Sequence, residues 1–286
     1  MAHNTRFRIT RWHVMSWVFL TMLLLFAVAP MVWMFITSVK TQFAALKYPP
    51  EFIPQNPNLD QYKRLLSPQS EIGGQFLRYM LNSIWVSTAT TVFGVAVAVP
   101  AAYAFARFKF PGRQALFFAV LFRNMFPAVV FLMPLFIMMR WLGLVNTYSS
   151  LIITYLTFGL PLSIWLLKGF YENIPVELEQ AARIDGCTRW QAFYMIVMPL
   201  SSPGIIATAI YSFITAWNEY VYALTFLNDD QKLTLPVGLQ RFFSEYATNW
   251  PGLMAASFIM SVPVVVMFLI LQKHFVRALT EGAVKS

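Results

Sequence analysis

Charge is scarce in this sequence: Asp, Glu, Lys and Arg make up 12% of its 286 residues, about half the share found in soluble globular proteins. That scarcity excludes water as the solvent for most of the surface. Cysteine is scarcer still. Cys187 stands alone, which excludes an intrachain disulfide and a cysteine-rich metal site, and an isolated cysteine is read as a small packing residue. His3, His13 and His274 are the only histidines and lie at or near the chain ends, with no His-Glu-x-x-His pattern, so a zinc-hydrolase helix is excluded. Also missing are the Gly-x-x-x-x-Gly-Lys-Ser/Thr phosphate loop and even a Gly-Lys pair; the chain carries no such nucleotide engine of its own. No low-complexity tract and no clear internal repeat is present.

What is present is apolar: 58% of residues, gathered into runs that match the roughly 20 residues needed to cross a hydrocarbon core. Residues 14–39, 80–106, 141–167 and 246–272 hold no charge, 115–139 is broken only by Arg123, and 203–227 only by Glu219. These runs predict an all-α polytopic membrane protein whose six helices span about 14–39, 80–106, 115–139, 147–168, 203–227 and 252–273. The membrane domain is expected over 14–275, with tails at 1–13 and 276–286. The first run resembles a signal peptide, with Arg6, Arg8 and Arg11 before it and Ala27-Val28-Ala29 near its end. Pro30 after the cut, the uncharged continuation to Val39 and the excessive length argue for a retained span.

Pro100, Pro127, Pro161 and Pro263 fall inside the runs and are tolerated where neighbouring helices satisfy the freed backbone groups. Gly94, Ala96, Ala98, Ala101 and Ala102 permit close helix approach. The net charge of +9 is scattered over short loops, which excludes a nucleic-acid stripe and reads instead as a topology signal. With the N-terminus inside, twelve Lys and Arg fall on the inner side and eight on the outer, and the loop holding Arg107, Lys109 and Arg113 is the densest. Both termini are therefore expected inside. The segment Lys40 to Tyr79 carries Pro49, Pro50, Pro54 and Pro57 and is expected to be largely irregular or extended.

Between the fourth and fifth runs lies the most informative stretch, 172–199. Pro175 with Glu177 and Glu179 marks a helix start, and Gly186 suits a left-handed stop. Thr188 and Gln191, three apart, form a capping box for a second helix. Trp190, Phe193, Tyr194 and Val197 then follow at spacings of three and four, predicting a one-sided apolar stripe. Such a helix pair beside a membrane offers a ridge to a groove on another protein.

Gln180-Ala181-Ala182, then Gly186, then Ile196 and Pro199, reproduce the spacing of the EAA loop and resemble the signature of ABC importer permeases. The surrounding Ala-Ala-Arg-Ile-Asp-Gly, Phe193 and Met198-Pro199-Leu200 look like the carbohydrate branch, similar to maltose and glycerol-phosphate permeases. With the span count and Trp217-Asn218-Glu219-Tyr220, the likeness covers nearly the whole chain. The resemblance implies a permease subunit of a binding-protein-dependent sugar importer in the bacterial cytoplasmic membrane, forming half of the translocation pathway. It implies as partners a second homologous permease, two copies of a cytoplasmic ABC ATPase and an extracytoplasmic sugar-binding protein, with no nucleic acid. ATP and magnesium would sit on the ATPase, leaving this chain without catalytic residues, cofactor or metal. The residues carried over as ATPase-coupling are Glu179, Gln180, Ala181, Ala182, Asp185, Gly186, Ile196 and Pro199. Gln180 departs from the family's glutamate and Met198 from its leucine; Glu179 is the candidate to replace the lost salt bridge. The implied mechanism moves 175–199 as a rigid lever directly continuous with the fifth span.

An isolated charge at mid-bilayer costs at least about 2.5 kcal/mol, so Arg123 and Glu219 are expected to face protein or water. Arg123, Asn124, Asn218 and Glu219 either hydrogen-bond sugar hydroxyls along the translocation path or pair within and between subunits. Trp217, Tyr220 and Tyr222 either stack on sugar rings or anchor the chain at the interface. A self-sufficient secondary carrier, which would show repeats and ionisable relays, and an intramembrane enzyme, which would show a catalytic set, fit the residues less well.

Overall fold

The computed structural model describes residues 11–243 and 248–283. His3, Arg6, Arg8 and Lys285 lie outside the described residues, as do the side chains of Arg11, His13, Lys273, His274 and Arg277. Among the described residues all regular structure is helical. Four helices are long and apolar enough to cross a membrane, and two bent pairs bring the number to as many as six. Contacts divide the chain into one unit of residues 1–67 and 241–259 and another of 68–240 and 260–286.

In the first unit, α1 (Arg11–Ser38) owes its length to an unbroken apolar sequence and tolerates Pro30. Before Thr37 none of the described side chains of α1 is buried. Packing tightens at its end, where Thr37, Ser38, Val39 and Lys40 are all buried. The Lys40 ammonium donates to the Glu51 carbonyl and lies 4.6 Å from the centre of the Trp33 ring. Ser38 and Tyr62 share a 2.7 Å hydrogen bond, and burial of the Tyr62 phenol raises its pKa. The proline-rich segment is less irregular than expected: it holds α2 (Gln42–Leu46) and α3 (Asp60–Leu66). Thr41 starts α2 by accepting from the Ala44 amide.

The second unit is built on α4 (Glu71–Arg107), α7 (Tyr148–Glu172) and α11 (Ser202–Trp217), which pack on one another. α4 begins nine residues before the apolar run because Ser70 accepts from the Gly73 amide and caps it. Gly94, Ala98 and Ala102 are buried along α4, while Ala96 is exposed. A Cβ on Gly94 would meet the Ser212 hydroxyl at 3.3 Å, and one on Gly204 would lie 2.5 Å from the Phe170 ring. These glycines set how closely α11 approaches α4 and α7. The other helices are α5 (Arg113–Phe122), α6 (Leu132–Trp141), α8 (Val176–Ile184), α9 (Arg189–Ala192), α10 (Met198–Leu200), α12 (Val221–Phe226) and α13 (Leu235–Gly238); α14 (Trp250–Ala283) begins in the first unit.

Two runs expected as single helices are broken. The 115–139 run bends by 100° between residues 113–125 and 128–141, because Pro127 cannot donate a backbone hydrogen bond and the chain turns tightly on either side of it. In 203–227, α11 stops at Trp217 and α12 restarts at Val221. Pro100, Pro161 and Pro263, by contrast, sit within continuous helices.

Candidate functional site

The hairpin over 173–201 follows the local rules read from its sequence. α8 starts directly after Pro175, with Glu177 and Glu179 in its first turn, where acids favour the positive end of the helix dipole. It ends as the Gly186 backbone turns left-handed at φ +93°. The Cys187 amide then donates to the Ala182 carbonyl at 2.9 Å, closing the stop. No atom lies within 4 Å of a Cβ built on Gly186, so its glycine is required by dihedral angle and not by space. The Thr188 amide donates to the Gln191 side-chain oxygen at 2.7 Å, and the Gln191 amide to the Thr188 hydroxyl at 3.3 Å. This is the expected capping box.

Past Ala192 the backbone departs from expectation. Residues Phe193–Val197 form a π turn, whose wider winding adds a residue per turn. The apolar stripe is therefore split: Phe193 and Val197 are 1% and 0% exposed, whereas Trp190 and Tyr194 are 57% and 59% exposed. Those two rings stack on each other outside, centroids 6.2 Å apart. Nor is the hairpin directly continuous with α11: the axis bends by 73° between residues 189–200 and 202–217.

Of the residues named for coupling, Gln180, Ala181, Asp185, Gly186 and Pro199 are exposed, Ile196 is half-buried, and Ala182 is buried. Glu179 is the exception in kind. Its side chain turns inward and is 7% exposed, because both oxygens find donors on α4: the Tyr103 hydroxyl at 2.6 Å and the Arg107 Nε at 2.6 Å. Arg107 also donates through Nη2 to the Ile174 carbonyl at 2.7 Å. The carboxylate expected to replace the one missing at Gln180 is thus engaged inside the chain, a partnership spanning some seventy residues that local spacing could not reveal.

The polar residues in the broken runs separate into two environments. Glu219 accepts from the Tyr155 hydroxyl at 2.7 Å and from the Tyr222 and Ala223 amides at 2.8 and 3.1 Å. It caps the first turn of α12, satisfying amides that the break would leave orphaned. Asn218 is exposed, and its side chain donates to the Ile214 carbonyl. Arg123 lies 3.3 Å from the Phe158 ring centre and donates to Asn124 Oδ1 at 2.8 Å. Its Nη2 is buried without a hydrogen-bond partner, and no ion pair joins Arg123 to Glu219. Trp217 is buried, with its indole N–H on the Met260 carbonyl at 3.2 Å. Among the described residues no His, Cys, Asp and Glu cluster could hold a metal ion.

Comparison with known proteins gives a consistent picture. Residues 70–281 match the family described as binding-protein-dependent transport system inner membrane component. The chain is 36% identical over 280 residues to the trehalose transport system permease protein of Mycobacterium tuberculosis, covering 97% of this chain and 98% of that one. It is 36% identical to the sulfoquinovosyl glycerol transport system permease protein of Agrobacterium fabrum, covering 93% and 91%. Against the trehalose/maltose transport system permease protein of Thermococcus litoralis the identity is 37%, covering 90% and 91%. In fold it resembles a bacterial ABC transporter involved in alginate import, with a TM-score of 0.77 at 24% identity over 92% of this chain and 96% of that one.

Proposed function

Because this chain belongs to the family of binding-protein-dependent transport system inner membrane components, we propose that it is the permease subunit of an ATP-driven sugar importer that docks its ATPase through residues 175–199. The observation that carries the docking reading is the hairpin itself. A left-handed glycine and a capping box define the turn between two short helices, and Gln180, Ala181, Asp185 and Gly186 are exposed on its first helix and turn. The substrate class follows from the relatives, whose names specify trehalose, maltose and a sulfosugar glycoside.

In this reading a second permease completes the pathway, an external binding protein delivers the sugar, and two ATPase subunits bind ATP and magnesium on the inner side. Both chain termini and the hairpin face the cytoplasm, in keeping with the positive charge of the 107–113 loop. This chain's own part is mechanical, with ATP hydrolysis left to the ATPase subunits. Arg123 and Asn124, at the bend of a broken span, and Asn218 with Glu219 are assigned to the border of the translocation path. Glu219 there acts first as a helix cap.

The test is to tag the chain, extract it gently from its native membrane and identify by mass spectrometry what comes with it. A nucleotide-binding ATPase and a second multispanning protein are expected. A chain that purifies alone and, after reconstitution, accumulates sugar on an ion gradient would overturn the reading in favour of a secondary carrier.

A further inference from the structure

The hairpin is joined to the membrane helices at two ends and across space, and the three joints differ in stiffness. Toward α7 the link is short, Asn173 to Pro175, and its Ile174 carbonyl is held by Arg107. Across space, Glu179 is held by Tyr103 and Arg107 from the last two turns of α4. Three rings back this contact from three elements. Tyr103 of α4 lies 4.4 Å from Phe193 of the π turn and 6.0 Å from Tyr171 of α7, centroid to centroid. Toward α11, by contrast, the chain runs from the π turn into a 73° bend at Ser201, the kind of break at which a helix changes direction.

We propose that the Arg107–Glu179 pair and Tyr103 lock the hairpin, α4 and α7 into one moving body, with the bend at residues 200–202 as the hinge about which α11 turns against it. This rests on the reading of the hairpin as the ATPase dock and goes beyond it. Motion delivered at the hairpin enters the bundle through α4 and α7, not through the helix that follows it in sequence. Arg107 and Glu179 are positioning residues. Their side chains are 10% and 9% exposed, and removing one partner of a buried pair leaves an uncompensated charge. A loosened lock lets the hairpin follow the ATPase while α4 stays behind.

The test uses the full transporter, with its partner subunits, in proteoliposomes. Glu179→Gln and Arg107→Met are each expected to raise the ATP hydrolysed per sugar imported at least tenfold. The exchanged pair, Arg107→Glu with Glu179→Arg, is expected to recover much of the coupling. Single variants that assemble and keep the wild-type ratio overturn the proposal. Should the singles fail to assemble, spin labels decide in a transporter with the native pair, at Glu177 on α8, Val97 on α4 and Thr215 on α11. The Val97–Glu177 distance is expected to hold on ATP binding while Thr215–Glu177 changes. A changing Val97–Glu177 distance overturns the lock and leaves the dock standing. If neither distance moves in a transporting complex, α11 turns with the hairpin and the hinge is overturned, whereas the dock itself falls only if no ATPase accompanies the chain.

Discussion

Gly186 and Glu219 illustrate two ways in which one side chain governs a local backbone. At Gly186 the requirement is purely dihedral: φ is +93° and a Cβ would meet nothing. Gly186→Ala is therefore expected to fold but to weaken the α8 stop by about 1–2 kcal/mol, the usual penalty for an L-residue in the left-handed region. Hydrogen exchange should show the Asp185 to Thr188 amides opening about five- to thirtyfold more often, with Gly186→Asn affected less. At Glu219 the requirement is electrostatic, since the carboxylate satisfies two amides and a phenol. Glu219→Ala should lower stability by about 1–2 kcal/mol, read as thermal unfolding in detergent, and Glu219→Gln by less. A changed KM for sugar uptake with unchanged unfolding in Glu219→Gln would assign the residue to sugar contact over capping. Gly186, Thr188 and Gln191 were legible in the sequence because their partners lie within four positions. Glu179 was not, because Tyr103 and Arg107 approach it only once α4 and α7 have packed.

Hydropathy located every apolar run but could not say which are single helices. It reports composition over a window, and continuity depends on individual amides. Pro127 removes a donor where the 115–139 run bends, whereas Pro161 is absorbed within α7. The 203–227 run breaks because Glu219 offers its amides an alternative to the helical carbonyls. Likewise, the spacing of Trp190, Phe193, Tyr194 and Val197 was read at the α-helical period. The π turn changes that period mid-stripe, which leaves Trp190 and Tyr194 stacked and exposed as a ridge while Phe193 and Val197 seal the joint to α4.

The chain's single cysteine sits in the hairpin, half-buried and unpaired, which makes it a native reporter of orientation. With the ATPase stripped away, a membrane-impermeant maleimide is expected to label Cys187 in inside-out vesicles and not in intact spheroplasts. The reverse pattern would place the hairpin outside and overturn the proposed topology. The helical membrane fold was thus readable from composition alone, whereas the division into two units was not, since it depends on which distant segments share contacts. α1 belongs to the first of these units, and no residue in the core of its apolar run is buried within the chain. Where those side chains face lipid, selection asks only for apolarity and length, because lipid accepts one aliphatic side chain as readily as another. Over evolutionary time the middle of α1 should drift freely among Leu, Ile, Val, Phe and Met, while Thr37 to Lys40, four residues further along the same chain, remain fixed.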